Sequence, residues 1–431
     1  MAHRAGRELL SWQQESLLTH LQQVMLEKKV NRPGSVIVST TFDVPDHVTD
    51  TDLHTILHRI TEREPSLRAT SINMDGVEYA HTISAPVTHT ECDDEQSARD
   101  FIARSKRIEF DTDGTLHWNI QILHYQGEDG NDHRTALAVF DHLITDRVSM
   151  ALMVQELCTG REANPLKGAG KYRDWVSEQR AKFTDITQAN SESQRFWYQH
   201  FGDTSPERAI PLAPFVTRPR DQHSEKGWII SEHVPVSSPR LTLACKCARA
   251  TPLVLHLASV TSTLAEVSDT TDLTLRLQTA GRGPGSAEVS GFLTNTIPLR
   301  LQHAALGSFD GALAAARHSW RQILPRQDTP LGFLEKLFTG NSGTGRLAGR
   351  GQMVLNCFPD MVQGISESDY ADQLTEAPQD FLELFIIPVA TGGFMFRLIC
   401  GAAELDIEDG RMFLRHLKEA FISNVEHAID T

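Results

Sequence analysis

The stretch "DHLITDRVSM", residues 141–150, follows the apolar run Arg134-Thr-Ala-Leu-Ala-Val-Phe140, which reads as a strand. The chain leaves that strand and at once presents Asp141, His142 and Asp146. Three readings fit these residues. His142 and Asp146, four apart, could meet on one helix face and with Asp141 hold a metal, but no H-E-x-x-H or C-x-x-C partner accompanies them. His142 could instead be one of many structural histidines, since the chain has nineteen. The third reading is acid/base chemistry. An imidazole whose ordinary pKa is about 6.5 accepts a proton at neutral pH from a hydroxyl or amine attacking a thioester. A nearby aspartate neutralised by an arginine would then aim the ring without taking the proton, because an unpaired buried charge costs several kcal/mol. Composition does not choose between the second and third readings.

The bulk numbers narrow the class. A chain of 431 residues exceeds the size at which one core stops growing, so two lobes are expected. Hydrophobic residues at 40% and charged residues at 23% describe a globular protein, and no apolar run reaches membrane-spanning length. No apolar segment follows the charged amino terminus, so no secretory signal is expected and the location reads as cytoplasmic. The six cysteines are scattered, and the lone C-x-C pair Cys245 and Cys247 is a poor zinc signature; reduced thiols and no metal are expected. A net charge of −15 argues against nucleic acid as a partner.

Periodicity and turn residues give an α/β chain. A helix is expected over 12–29, strands near 34–42, 77–83 and 116–125, a helix over about 50–63 ended by Pro65, and helical segments at 149–157 and about 172–200. The Pro-rich segment 202–222 reads as a linker, giving an N-terminal lobe at 1–201 and a C-terminal lobe at 223–431, where strands and helices begin again.

The strand followed by "FDHLITDRVSM" resembles the active-site motif of condensation domains of nonribosomal peptide synthetases and of polyketide-associated acyltransferases, within the chloramphenicol acetyltransferase superfamily. That motif is written H-H-x-x-x-D-G. Its second histidine falls on His142 and its aspartate on Asp146, while Asp141 replaces the first histidine and Arg147 the glycine. Further stretches follow in the family's order. Arg63-Glu-Pro-Ser-Leu-Arg-Ala-Thr70 is similar to R-H-x-x-L-R-T, and Phe110-Asp-Thr-Asp-Gly-Thr-Leu116 to the lead-in to the strand before the motif. Tyr172-Arg-Asp-Trp175 and Arg195-Phe-Trp-Tyr198 resemble the helical pair closing the first lobe. Gly281-Arg282 with Gly291-Phe-Leu-Thr-Asn-Thr-Ile-Pro-Leu-Arg300, and Met353-Val-Leu-Asn-Cys-Phe358, resemble motifs of the second. Read from residues alone, Gly281-Arg-Gly-Pro-Gly285 is a turn.

The resemblance implies two acyltransferase-like lobes arranged as a V-shaped pseudo-dimer with a central tunnel and His142 near its middle. It implies a catalytic His142 and an Asp146–Arg68 ion pair that holds the site. Asp141, Arg147, Ser149, Asn356 and Asn295 are possible site-lining residues. The implied activity is acyl transfer from a phosphopantetheine thioester, on an acyl or peptidyl carrier protein or coenzyme A, to a small-molecule amine or hydroxyl in natural-product or lipid biosynthesis. No permanently bound cofactor is implied. Two alternatives stay open. Asp141, Asp146 and Ser149 satisfy the D-x-x-x-x-D-x-x-S pattern of heterocyclisation domains, although those normally lack the histidine. Loss of the glycine at Arg147 leaves room for a non-catalytic recruitment domain. No carrier domain follows the second lobe, so a stand-alone enzyme or an excised domain is expected.

Overall fold

The computed structural model describes Gln22 and residues 37–73, 76–80, 84–105, 110, 115–160, 172–186, 191–202, 215–216, 226–283, 285–339, 352–358, 373–375, 382–389 and 392–431. Apart from Gln22, the expected helix at 12–29 lies outside them, as do the middle of Phe110–Leu116 and nearly all of 202–222. Contacts divide the described residues into two compact units. The first holds those through Thr184 together with Ala280–Thr294; the second holds Asp185–Thr279 and those from Asn295 on. The expected lobes run unbroken in sequence, whereas these units are interleaved.

In the first unit, β1 (Ile37–Asp43) is followed by α1 (Asp50–Arg63), whose start is fixed by a capping box between Thr49 and Asp52. Leu53, Ile56, Leu57 and Ile60 give α1 one buried face at helical spacing, and the helix stops before Pro65. A short hairpin, β2 (Ala69–Asn73) and β3 (Gly76–Tyr79), precedes β4 (Val87–Glu91) and α2 (Glu95–Ser105). Next come β5 (Trp118–Gln126) and β6 (Asp132–Asp141), an antiparallel pair joined at Gly127-Glu-Asp-Gly-Asn-Asp-His133, a run of turn-forming residues. The sheet order is β1-β6-β5-β4, with β4 parallel to β5. β6 is flanked on both sides, and its residues from Thr135 to Asp141 are all buried, which is why its sequence is a continuous apolar run rather than an alternating one. α3 (Arg147–Thr159) follows, closed by the left-handed Gly160 at φ +64°, and then α4 (Tyr172–Ile186).

The second unit opens with α5 (Glu192–Phe201), so the helical region expected as one piece is two helices. It continues with β7 (Gly227–Val234), α6 (Ser238–Cys247), α7 (Pro252–Ser268), β8 (Asp272–Thr279), β9 (Asn295–Gln302), α8 (Phe309–Ile323) and α9 (Leu331–Thr339). It ends with β10 (Val354–Cys357), β11 (Gln373–Thr375), β12 (Leu382–Pro388), β13 (Phe394–Gly401) and α10 (Ile407–Asp430). Seven strands order as β11-β7-β13-β12-β10-β8-β9, parallel only at the two pairs made by β10. α7 is buried at every residue from Val254 to Ala265, so its sequence is apolar or small nearly all round, whereas α10 buries one face that runs from Asp409 through Phe413, Leu417 and Phe421 to Ala428. His256 of α7 stacks on Phe421 at 5.0 Å, and burial pulls its pKa down to about 3. It is a core histidine, neutral at working pH.

Phe140, next to the end of β6, is 1% exposed and stacks on Trp118 at 6.2 Å. Phe140→Ala is expected to cost about 3–5 kcal/mol through lost burial and the cavity left behind. The check is the denaturant midpoint followed by tryptophan fluorescence, with Tyr198→Ala at an exposed position shifting it little.

Candidate active site

The strand-to-helix turn between β6 and α3 is built from its own polar groups. Asp141, the last residue of β6, is fully buried; one carboxylate oxygen accepts from the Leu143 amide at 3.0 Å, and the other lies 3.2 Å from Nδ1 of buried His117. The Ile144 amide donates to the Asp141 carbonyl at 3.1 Å, which closes a four-residue turn with His142 at its second position. Asp141 therefore locks the turn rather than facing outward.

Within that turn, Nδ1 of His142 lies 2.8 Å from the Thr145 carbonyl oxygen. A carbonyl only accepts, so Nδ1 carries the proton and Nε2 keeps its lone pair. The edge of Phe292 meets the ring at a centroid distance of 5.0 Å and an interplanar angle of 71°. Burial is the largest influence on the imidazole and lowers its pKa; the Thr145 carbonyl and the nearby carboxylates of Asp146 and Asp141 pull the other way without winning. The residue nevertheless keeps some solvent contact.

Asp146 is the N-cap of α3, its side chain receiving the Ser149 amide at 2.9 Å. The carboxylate is fully buried and surrounded by donors. Arg282 reaches both oxygens, Nη1 to Oδ2 at 2.7 Å and Nη2 to Oδ1 at 2.9 Å. The Leu293 amide donates to Oδ2 at 2.9 Å, and the Ser149 hydroxyl lies 2.9 Å from Oδ1. Burial alone would raise this pKa; the Arg282 charge and the hydrogen bonds from Arg282, Ser149 and Leu293 outweigh it and hold the group below the ordinary carboxylate range. The stabilisation this gives is present above the ordinary carboxylate pKa and fades as pH falls through the lowered one.

The expected Asp146–Arg68 ion pair is corrected by this geometry. Arg68 ends the 3₁₀ turn Pro65–Arg68, where its Nε and Nη2 donate to the Ala80 carbonyl at 3.1 and 2.7 Å beside the β2–β3 hairpin. The guanidinium that Asp146 uses comes from 136 positions away, in the segment between β8 and β9. Sequence spacing carries no signal of such a meeting. The only hint was Gly281-Arg282 itself, read as a turn. It is one: Gly281 has φ +62°, and a Cβ there would lie 1.7 Å from the Leu293 carbonyl oxygen. Gly291 has φ +148° and leaves room for the Tyr172 ring. Val289 and Leu293 complete this seat, clustering with Tyr172, Trp175 and Val176 of α4.

The remaining candidates separate. The buried Ser149 hydroxyl sits among Asp146, Arg282 and the amide and carbonyl of Gly291, all at 2.9–3.0 Å, so it belongs to the support. Arg147 is the first residue of α3 and partly buried. Asn295 and Asn356 are tied inside the second unit. The Asn295 amide donates to the Gln327 and Thr329 carbonyls, each at 2.9 Å, and Asn356 to the Glu383 carboxylate at 2.6 Å.

Arg282→Ala is expected to destabilise the first unit by about 3–5 kcal/mol, because it strands a buried carboxylate. Arg68→Ala, which leaves the Asp146 carboxylate with all of its donors, is expected to cost less than half as much. Urea denaturation of both variants reads the difference, and equal losses would contradict the pairing described here.

The condensation-domain family model matches residues 12–346. Cyclosporin synthetase simA of Tolypocladium inflatum is 25% identical over 316 residues, covering 70% of this chain and 2% of that protein. The chain spans only 2% to 6% of the lengths of the curated relatives it matches. Among solved structures, the first condensation domain of the calcium-dependent antibiotic synthetase superposes with a TM-score of 0.72 at 16% identity, over 99% of this chain and 97% of that one. The X-domain in complex with OxyB from teicoplanin biosynthesis gives 0.71 at 17% identity, over 99% and 96%. At these identities the superpositions establish a shared two-lobe α/β fold, and the family match, which takes in the turn around His142, establishes descent: the chain belongs to the condensation-domain family.

Proposed function

We propose that this chain is a catalytic condensation domain that transfers an acyl group from a phosphopantetheine thioester to an amine, forming an amide in peptide natural-product assembly. The observation that carries this reading is the Nδ1 bond of His142 to the Thr145 carbonyl, which leaves Nε2 as the basic nitrogen on a ring kept neutral by its surroundings. As the acceptor amine attacks the thioester carbon, the C–N bond forms and Nε2 takes the amine's proton. Collapse of the tetrahedral intermediate breaks the C–S bond, and the imidazolium returns the proton to the departing thiol. No resident cofactor or metal takes part in these steps. A carrier protein supplies the thioester arm, with coenzyme A as the free-standing equivalent; the relatives are multidomain synthetases, which favours the carrier. No described helix is long and apolar enough to cross a membrane.

The same-fold alternatives are weighed by particular residues. Asp146 and Ser149, two members of the heterocyclase pattern, are saturated with structural hydrogen bonds, which supports plain amide formation. A recruitment role has two observations in its favour: Arg147 stands where the family's motif has glycine, and a domain of this fold forms a complex with OxyB.

His142→Ala decides between catalysis and recruitment. Product formation from a carrier-bound donor and an amine acceptor, followed by mass spectrometry, is expected to fall by about 10²–10⁴-fold with unchanged circular dichroism. Turnover by the unaltered domain no faster than the uncatalysed background would end the catalytic reading, undiminished turnover by the variant would end the role of His142 as base, and loss of one water from the amide product would indicate cyclisation. The pH profile gives an independent check. Because burial lowers the imidazole pKa, the rate should stay level through neutral pH and drop only below about 6.5. An acid limb above that value would contradict the assignment of His142 as base.

A further inference from the structure

A second cluster of ligating side chains lies in the first unit, and none of its members belongs to the turn around His142. Asp50 opens α1, directly after the cap at Thr49, and His54 follows one turn later. His89 lies on β4 and His124 on β5. In the parallel register His89 pairs with Ile122, two residues before His124, so the two imidazoles project from the same face of the sheet. Arg134 of β6 is directly opposite His124.

Three donor atoms converge here. His89 Nδ1 is 3.1 Å from His124 Nε2, while Asp50 Oδ2 is 3.6 Å from the first and 3.9 Å from the second. The two longer separations exceed a hydrogen bond. They suit ligands sharing one ion, since donors about 2.05 Å from a tetrahedral metal are about 3.3 Å apart. The nearest point equidistant from the three atoms lies about 2.1 Å from each, in their plane, so a tetrahedral zinc requires Asp50 Oδ2 to move a few tenths of an ångström toward the histidines.

The surroundings orient the same atoms. Arg134 donates to the other Asp50 oxygen at 2.9 Å and to the Pro45 and Val48 carbonyls, turning Oδ2 toward the histidines. The far nitrogen of His89, Nε2, lies 3.2 Å from His54 Nε2. With Nδ1 of His89 on a metal, its Nε2 proton has an acceptor in His54, the outer bond that fixes a ligating imidazole. The three rings stack in a row, with centroids 5.5 and 5.4 Å apart.

We propose that Asp50, His89 and His124 form a zinc site with one position open to water, clamping the start of α1 to β4 and β5. Two imidazoles and one carboxylate are the donor set zinc accepts with a fourth position free. Bound zinc stabilises the first unit by mass action, since the three donors come together only in the folded chain.

The test uses the chelator-treated protein titrated with Zn²⁺ against a chromophoric competitor, with thermal unfolding read in parallel. One equivalent is expected to bind and raise the midpoint. His89→Gln and His124→Gln are each expected to weaken that binding at least about tenfold, whereas Cys247→Ser, at an exposed thiol, leaves it unchanged. Cobalt in place of zinc should give tetrahedral ligand-field bands without sulfur charge transfer. Absence of saturable binding, or equal binding by the His89→Gln/His124→Gln double variant, overturns the proposal; the second result means an adventitious ion elsewhere. Circular dichroism confirms that the variants are folded, and Asp50→Asn provides a third ligand change should either histidine variant unfold.

Discussion

The turn that presents His142 depends on a carboxylate that must not titrate. Asp146 is out of contact with water, and a lone charge there would be untenable. It is held by a bidentate guanidinium, two amides and a hydroxyl. Two of these partners, Arg282 and Leu293, come from a segment that enters the chain after β8, so one ion pair fixes both the start of α3 and the path of residues 280–294. Phe292 lies on that path between Gly291 and Leu293, and its edge stands against the His142 ring. The support of the carboxylate and the setting of the imidazole are thus one construction.

Asp141 completes it from the other side. In place of the motif's first histidine there is a carboxylate facing buried His117, the residue just before β5, while the turn amide of Leu143 fills its second oxygen. The change looks severe in a motif alignment, yet Asp141 points inward, where its task is to pin the backbone.

Much of the fold was legible because its signals are local. Strand β6 announced itself by an unbroken apolar run, the end of α1 by Pro65, and the β5–β6 turn by its glycines and aspartates. His142 and Asp146 were legible through the spacing of a motif. The partner of Asp146 was not. Arg68 and Arg282 are both arginines in family-like stretches, and nothing local distinguishes a guanidinium that bonds a backbone carbonyl from one that neutralises a buried acid 136 positions away. Asn356 posed the same difficulty, since its carboxylate partner Glu383 lies on β12, a strand parallel to its own. The cluster of Asp50, His89 and His124 was equally hidden, because its members come from a helix start and two strands whose pairing register alone brings them together.

The division of labour in the turn has a chemical consequence. In a serine-hydrolase triad the imidazole is held by a carboxylate, which favours the protonated ring. Here Asp146 is saturated by other donors, and Nδ1 of His142 is held by a neutral carbonyl instead. A carbonyl fixes the tautomer as firmly, but it stabilises the imidazolium less. On the catalytic reading proposed above, the ring is a weak base that accepts a proton only while a developing ammonium is pressing it forward. That suits an attacking amine, whose acidity rises sharply once its bond to the acyl carbon begins to form. On the same reading the imidazolium would give the proton up readily to a departing thiolate and the ring would be reset within each turnover. A stronger base, made by moving Asp146 onto Nδ1, would leave both the carboxylate and the segment it anchors without their partners.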